Sequence, residues 1–233
     1  MKIEKSELKG YLNKVQMSNT QEITECILDF SDEGLKINAD CPTEQSKVMG
    51  FLSPKVFKEY TSIGKIGVND FNGFIGAIDR FEKIITMTQE GNVLIVDEGK
   101  KKVEIELINT EFINSAKEEP QLTFETTFKM PPKKMQSIFA DANISKDSII
   151  KIETVTDQIQ ISNTGKYKFS NIFDVVGCKA GIKTKYGKPL VDSIAKLDGE
   201  LNISLGTDYP IKIEEKSENM SITIIVAPRI EEA

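Results

Sequence analysis

The chain has 233 residues, enough for one large β domain or two of ordinary size, and its 39% apolar and 28% charged content is that of a folded globular protein. Histidine is absent, which removes the commonest general base and metal ligand, and Cys26, Cys41 and Cys178 lack the number and spacing of a disulfide framework or zinc site. The formal charge of −6 argues against coating nucleic acid with the whole surface, yet leaves room for a local basic face.

No apolar run approaches the roughly 18 residues of a spanning helix, and the start MKIEKSELKG has no apolar stretch after its charges, so a cytosolic or nuclear compartment is expected. Ser6 to Met17 reads as a helix with Ser6 as N-cap, Leu8, Tyr11, Leu12 and Val15 on one side, and Lys9 and Lys14 flanking the opposite, solvent face. The run ECILDFSDEGLKINAD reads as a hairpin turning at Ser31 to Gly34, followed by strands at Lys47 to Leu52, Lys55 to Tyr60 and Ile66 to Val68. Asn69 to Lys83 switches to helical period, with Phe71, Phe74, Ile75, Ile78 and Phe81 inward. Gly73 and Gly76 fall outward beside Asn69 and Arg80. Glycine costs a helix interior about 1 kcal/mol against alanine, so this face either admits something large or is simply a weak helix. Strands at Ile84 to Thr88, Val93 to Val96 and Lys102 to Leu107 complete the first half.

The stretch Leu107 to Pro131 intervenes, polar around Asn114 to Glu119 and marked by Pro120. The plan then starts again. Pro132 opens a helix with Met135, Ile138, Phe139 and Ala142 inward and Lys133, Ser137 and Ala140 opposite. Strands are expected at Ile149 to Thr154, Gln158 to Ser162, Lys166 to Ser170 and Gly181 to Tyr186. A short helix from Pro189 to Leu197 follows, leaving Asp192 and Lys196 outward at the spacing of a surface ion pair. Glu200 to Leu205, Pro210 to Glu215 and Ser221 to Val226 are the last strands. The two halves begin about 125 residues apart and present similar elements in similar order, the mark of an internal duplication. The expected fold class is α+β: two similar β-rich domains, 1–106 and 131–233, each with two helices on one face, joined by a connecting stretch, 107–130.

These residues resemble the DNA polymerase sliding clamps of the proliferating-cell-nuclear-antigen type. The strongest match is YPIKIEEKSENMSITIIVAPRIEE, with Tyr209-Pro210 before a hairpin and Ala227-Pro228-Arg229-Ile230-Glu231 after it. Supporting matches are Lys129-Met130-Pro131, Ile182 to Tyr186, and Ile66-Gly67-Val68-Asn69, while VNDFNGFIGAI is similar to the corresponding helix of tailed-phage clamps. The resemblance implies a non-enzymatic processivity factor without cofactors. Three two-domain subunits would close a ring, the DNA clamp fold, with helices lining a hole through which double-stranded DNA threads independently of sequence.

Within that frame the outward residues Lys9, Lys14, Arg80, Lys83, Lys133, Lys134 and Lys196 would face DNA, a sparse basic lining that screens phosphate without reading bases. A pocket under the connecting stretch would take the short clamp-binding motif of a DNA polymerase and other partners, lined by Tyr209, Pro210, Ala227, Pro228 and Ile230, with Phe112, Ile113 and Leu122 supplying further apolar contacts. Subunits would join strand to strand, Lys102 to Phe112 against Lys166 to Phe173, with Val103, Ile105, Leu107, Tyr167 and Phe169 at the homotrimer interface. A clamp loader is implied as a partner, and a membrane is not. The compartment would be cytoplasmic in a prokaryote or virus-infected cell, nuclear in a eukaryote. Two other readings remain open from the residues: a subunit of a heterotrimeric or checkpoint-type clamp, or a β-rich ligand binder or carboxylate-based enzyme.

Overall fold

Period-two burial along the strands, more than any helix, sets the architecture. The computed structural model describes residues 1–114, 120–131, 133–135, 137, 149–164, 166 and 168–229. The first half runs β1 (Lys2–Glu4), α1 (Lys5–Gln16), β2 (Cys26–Ser31), β3 (Gly34–Asp40), β4 (Ser46–Leu52), β5 (Phe57–Glu59), β6 (Gly64–Val68), α2 (Phe71–Asp79), β7 (Ile84–Glu90), β8 (Val93–Asp97) and β9 (Lys102–Glu106). The second runs β10 (Thr126–Met130), β11 (Ile150–Val155), β12 (Gln158–Asn163), β13 (Ser170–Asp174), β14 (Lys183–Tyr186), α3 (Lys188–Ile194), β15 (Leu201–Leu205), β16 (Ile211–Lys216) and β17 (Met220–Val226). Lys133, Lys134, Met135 and Ser137 are also helical. The rest of the helix expected there, including Ile138, Phe139, Ala140 and Ala142, lies outside the described residues.

The strands form three sheets, ordered β5-β1-β7-β8-β9, β10-β15-β16-β17-β4-β3-β2-β6 and β13-β12-β11-β14. The middle sheet crosses from one half to the other. Its seam is the antiparallel pairing of β17 with β4, continuous from Met220 opposite Leu52 to Val226 opposite Ser46. Helices α1 and α3 both pack on β4 and β17, and α2 packs beside α1. Leu8, Tyr11, Leu12 and Val15 of α1 are buried as their spacing requires. Gly50 of β4 makes room for them, since a Cβ there would lie 2.7 Å from both the Tyr11 hydroxyl and a Val15 methyl.

Several boundaries differ from the sequence expectation for local reasons. α1 starts at Lys5, and Ser6 is not its cap. Glu4 holds that position without a side-chain hydrogen bond, and the Lys5 amide instead donates to the Lys83 carbonyl at 2.6 Å. α2 is shorter than 69–83, because the Arg80 and Phe81 amides bond the Ala77 and Ile78 carbonyls in 3₁₀ fashion. Its N-cap is Asp70, whose carboxylate accepts from the Gly73 amide at 2.7 Å. A Cβ at Gly73 would stand 2.2 Å from that carboxylate, so the cap itself demands the glycine, whereas Gly76 faces open space. Pro54–Val56 is a 3₁₀ turn, which confines the expected 55–60 strand to β5.

The strand expected at 166–170 lies further on, as β13, because the Asn163 side chain accepts from the Phe169 amide and holds the approach out of the ladder until Ser170. β10 falls within the connecting stretch but pairs with β15 over its whole length, so the chain rejoins the central sheet before residue 131. No helix among the described residues is long and apolar enough to cross a membrane.

Candidate DNA face and partner cavity

The helices gather on one side of the central sheet, and the charged residues they carry divide into two groups. In the first, Lys9 Nζ lies 2.5 Å from Asp79 Oδ1, and Lys5 Nζ reaches the same oxygen at 3.2 Å. Hydrogen bonds from Lys9 and Lys5 hold the Asp79 carboxyl below the usual carboxylate range. Arg80 and Lys83 are exposed just beyond. The chain around them is fixed from the β8–β9 loop. Glu98 accepts from the Glu82 and Lys83 amides, and those backbone hydrogen bonds depress its own pKa. Lys101 donates to the Arg80 carbonyl and sits 5.7 Å from the centre of the Phe81 ring. Lys5 and Lys101 thus join the basic set although the helical wheel omitted them. Lys5 stands one turn before Lys9, the signal that could have found it. In the second half Lys133 and Lys134 are exposed, the latter with its ammonium 5.7 Å from the Phe173 ring.

The second group is buried in the junction between the halves, which corrects three sequence assignments. Lys14 is not on a solvent face. It is 9% exposed and forms ion pairs with both Asp198 and Glu215. Burial pulls its ammonium pKa down, but the hydrogen bonds and charges of Asp198 and Glu215 outweigh that and raise it. Asp192 is not outward either. It is 1% exposed and accepts from Asn19 Nδ2 at 2.9 Å and Thr20 Oγ1 at 3.0 Å, while its carbonyl accepts from Ser18 Oγ. Lys196 makes no pair with Asp192. It is half-buried and donates to Gln16 Oε1 at 2.7 Å, and desolvation lowers its pKa. The carboxy-terminal end of α1 meets the other half through Lys14 and Gln16, which a wheel drawn on one helix cannot reveal.

Beside Pro120 of the connecting stretch lies a cavity of about 290 Å³, with Pro120, Pro210, Ile225 and Ala227 as its apolar wall and the Asp40–Lys47 ion pair at 3.0 Å on its rim. Pro210 and Ala227 both line this cavity. Ile225 had been missed, and its signal is a break in alternation, since Ile222, Ile224 and Val226 face inward and Ile225 is the apolar residue on the other side. The remaining expected lining residues stand elsewhere. Ile113 is buried over Gly67, where a Cβ would come within 3.0 Å of its Cδ1, and Phe112 is 79% exposed on a 3₁₀ turn capped by Asn109. Tyr209 pins the chain entering β10: its ring meets Phe124 edge-on at 5.8 Å and its hydroxyl oxygen accepts from the Thr123 amide at 3.4 Å. Leu122 and Pro228 are half-buried outside the cavity wall, and Ile230 lies outside the described residues.

A second cavity of about 420 Å³ shares Asp40 and Glu44 with the first and is lined also by Glu25, Cys26, Cys41 and Asn114. Burial pushes the Cys26 thiol well up. For Cys41 burial also raises the pKa, but hydrogen bonds involving Ser46 and Thr43 outweigh it and the net shift is downward. All three cysteines are free.

Among the described residues β9 and β13 are each an edge strand of an outer sheet, opposite the edge strands β5 and β14. Val103, Ile105 and Phe169 pack half-buried against their own core, and Leu107 is buried in it, so these side chains serve their own sheets rather than an outward surface. What the edges present outward is backbone, together with Lys102, Glu104, Glu106 and the exposed Ile172. Tyr167 lies outside the described residues.

No family model matches the chain. Among curated proteins, a DNA polymerase sliding clamp of Methanothermobacter thermautotrophicus is 25% identical over 222 residues, covering 90% of each chain. Another sliding clamp, from Methanococcoides burtonii, is 23% identical over 97% of this chain and 98% of its own. Among solved structures, proliferating cellular nuclear antigen (PCNA) from Entamoeba histolytica superposes with a TM-score of 0.84 at 16% identity, covering 98% of both chains. The fold is that of the PCNA-type sliding clamps. An A. fulgidus PCNA bound to the C-terminal region of FEN-1 also shares this clamp fold, with a TM-score of 0.83 at 20% identity over 100% of this chain and 98% of that one. Arg80, Lys83, Lys133 and Lys134 are exposed on or just past helices, and the cavity borders the connecting stretch at Pro120.

Proposed function

We propose that this protein is a DNA polymerase processivity factor, a non-enzymatic ring that encircles duplex DNA and tethers partners to it. The observation that carries the reading is the full-length clamp fold, with helices on one side of a sheet shared by both halves and, among the described residues, edge strands β9 and β13 that each pair on one side only. Three copies closing through β9 of one against β13 of the next would cover these two edges, whose free amides and carbonyls otherwise invite uncontrolled pairing. Residues 1–106 and the part from β10 onward, 126–233, are then the two clamp domains, joined by 107–125. Lys9, Arg80, Lys83, Lys133 and Lys134 would face the phosphates, without gripping any base. The cavity of Pro120, Pro210, Ile225 and Ala227 suits a short apolar anchor from a polymerase, a clamp loader or another motif-bearing partner. Such a protein works wherever the genome is copied, in the cytoplasm of a prokaryote or infected cell, or in a nucleus.

The test is extension of a long primed single-stranded template by a cognate polymerase with its loader. The protein should lengthen the products made per binding event, and Ala227→Glu, which places a charge in the cavity, should abolish the gain. Product lengths indifferent to the wild-type protein would overturn the reading.

A further inference from the structure

The cations at the α1–α2 surface, Arg80 and Lys83 exposed and Lys5 and Lys9 half-buried, are not equally free. Among the described residues Arg80 and Lys83 pair with no carboxylate, whereas Lys5 and Lys9 both converge on Asp79. Asp79 is the last residue of α2, where a negative charge opposes the helix macrodipole, so its own helix gains nothing from it there. Its side chain is 46% exposed, leaving the carboxylate open to water, and open equally to replacement by a phosphate oxygen.

We propose that Asp79 is an internal counter-ion that competes with DNA phosphate for Lys5 and Lys9, keeping the clamp's hold on duplex weak enough to slide. This rests on the reading of the protein as a DNA-encircling clamp. Two ammonium groups sharing one carboxylate carry a net charge of about +1 rather than +2 toward an approaching backbone. The carboxylate is exposed and the lysines partly so, which keeps the pair weak, so a phosphate can displace Asp79 and Asp79 can retake the lysines as the phosphate moves on. Each lysine committed to a phosphate releases condensed counterion and adds about 0.9 to the slope of log affinity against log salt, so holding two lysines in reserve flattens that dependence. Asp79 is a positioning residue in this scheme, acting on DNA only through Lys5 and Lys9.

Asp79→Asn removes the charge and keeps the shape. The assembled protein is titrated with a short linear duplex by fluorescence anisotropy across a salt series, and labelled protein is tracked on stretched duplex. Relative to wild type, Asp79→Asn is expected to bind more tightly, to steepen the salt slope by about one to two, and to diffuse more slowly along DNA at low salt, with the difference vanishing at high salt. In a Lys5→Gln, Lys9→Gln background the same substitution should change nothing. A wild-type slope in Asp79→Asn with a native thermal midpoint overturns the proposal, as does an increase that persists without the two lysines. Loss of the wild-type protein from an intact circular duplex in a high-salt wash defeats the encirclement reading, and this inference falls with it.

Discussion

Lys9 and Lys14 belong to one helix, both were expected to face DNA, and they end in opposite surroundings. Lys9 shares an exposed carboxylate with Lys5 at the α1–α2 surface, where water and salt screen the pair. Lys14 lies in the junction between halves, joined to a Glu215 that is itself 3% exposed. The first arrangement is exchangeable and suits a transient contact. The second is structural, because a buried charge that loses its partner keeps the full cost of desolvation.

The largest effect that would sharpen this contrast is on stability. Lys14→Ala leaves Glu215 buried without its cation and should cost about 3–5 kcal/mol in urea unfolding, whereas Lys9→Ala should leave the midpoint where it is. Replacing both members, as in Lys14→Met with Glu215→Leu, should recover much of the loss, since an apolar pair of similar volume often substitutes for a buried ion pair. Equal midpoints for Lys14→Ala and Lys9→Ala would break the distinction. A smaller effect is expected at the other end of the junction. Asp192→Ala removes the acceptor for Asn19 and Thr20 and should cost about 1–2 kcal/mol, less than Lys14→Ala because both donors are exposed and turn to water. An unchanged unfolding curve would show that this corner does not help hold the halves together.

The same contrast marks how far the sequence could be read. Strand alternation, the turns at Gly34 and Gly91 and the apolar stripe of α1 are local signals, and the structure follows them. Pro210 and Ala227 were legible through the resemblance at the carboxy terminus, and they line one cavity. Lys14, Asp192 and Lys196 were misread because helical spacing separates a buried face from another face but does not say what lies against the second. The partner that claims Lys14 is 201 positions away, and only the β17–β4 seam brings it near. Phe112 and Ile113 were misplaced for a related reason: an apolar pair beside a polar stretch signals contact, while the 3₁₀ turn capped by Asn109 decides that one points outward and the other inward over Gly67.

The central claim is topological, and retention on DNA tests it most directly. The protein, loaded onto nicked circular duplex and washed at a salt concentration that strips simple electrostatic binding, should remain bound, and a single restriction cut that linearises the circle should release it. Loss from the intact circle in the same wash, or equal retention on circle and linear DNA, would contradict a closed ring around the duplex.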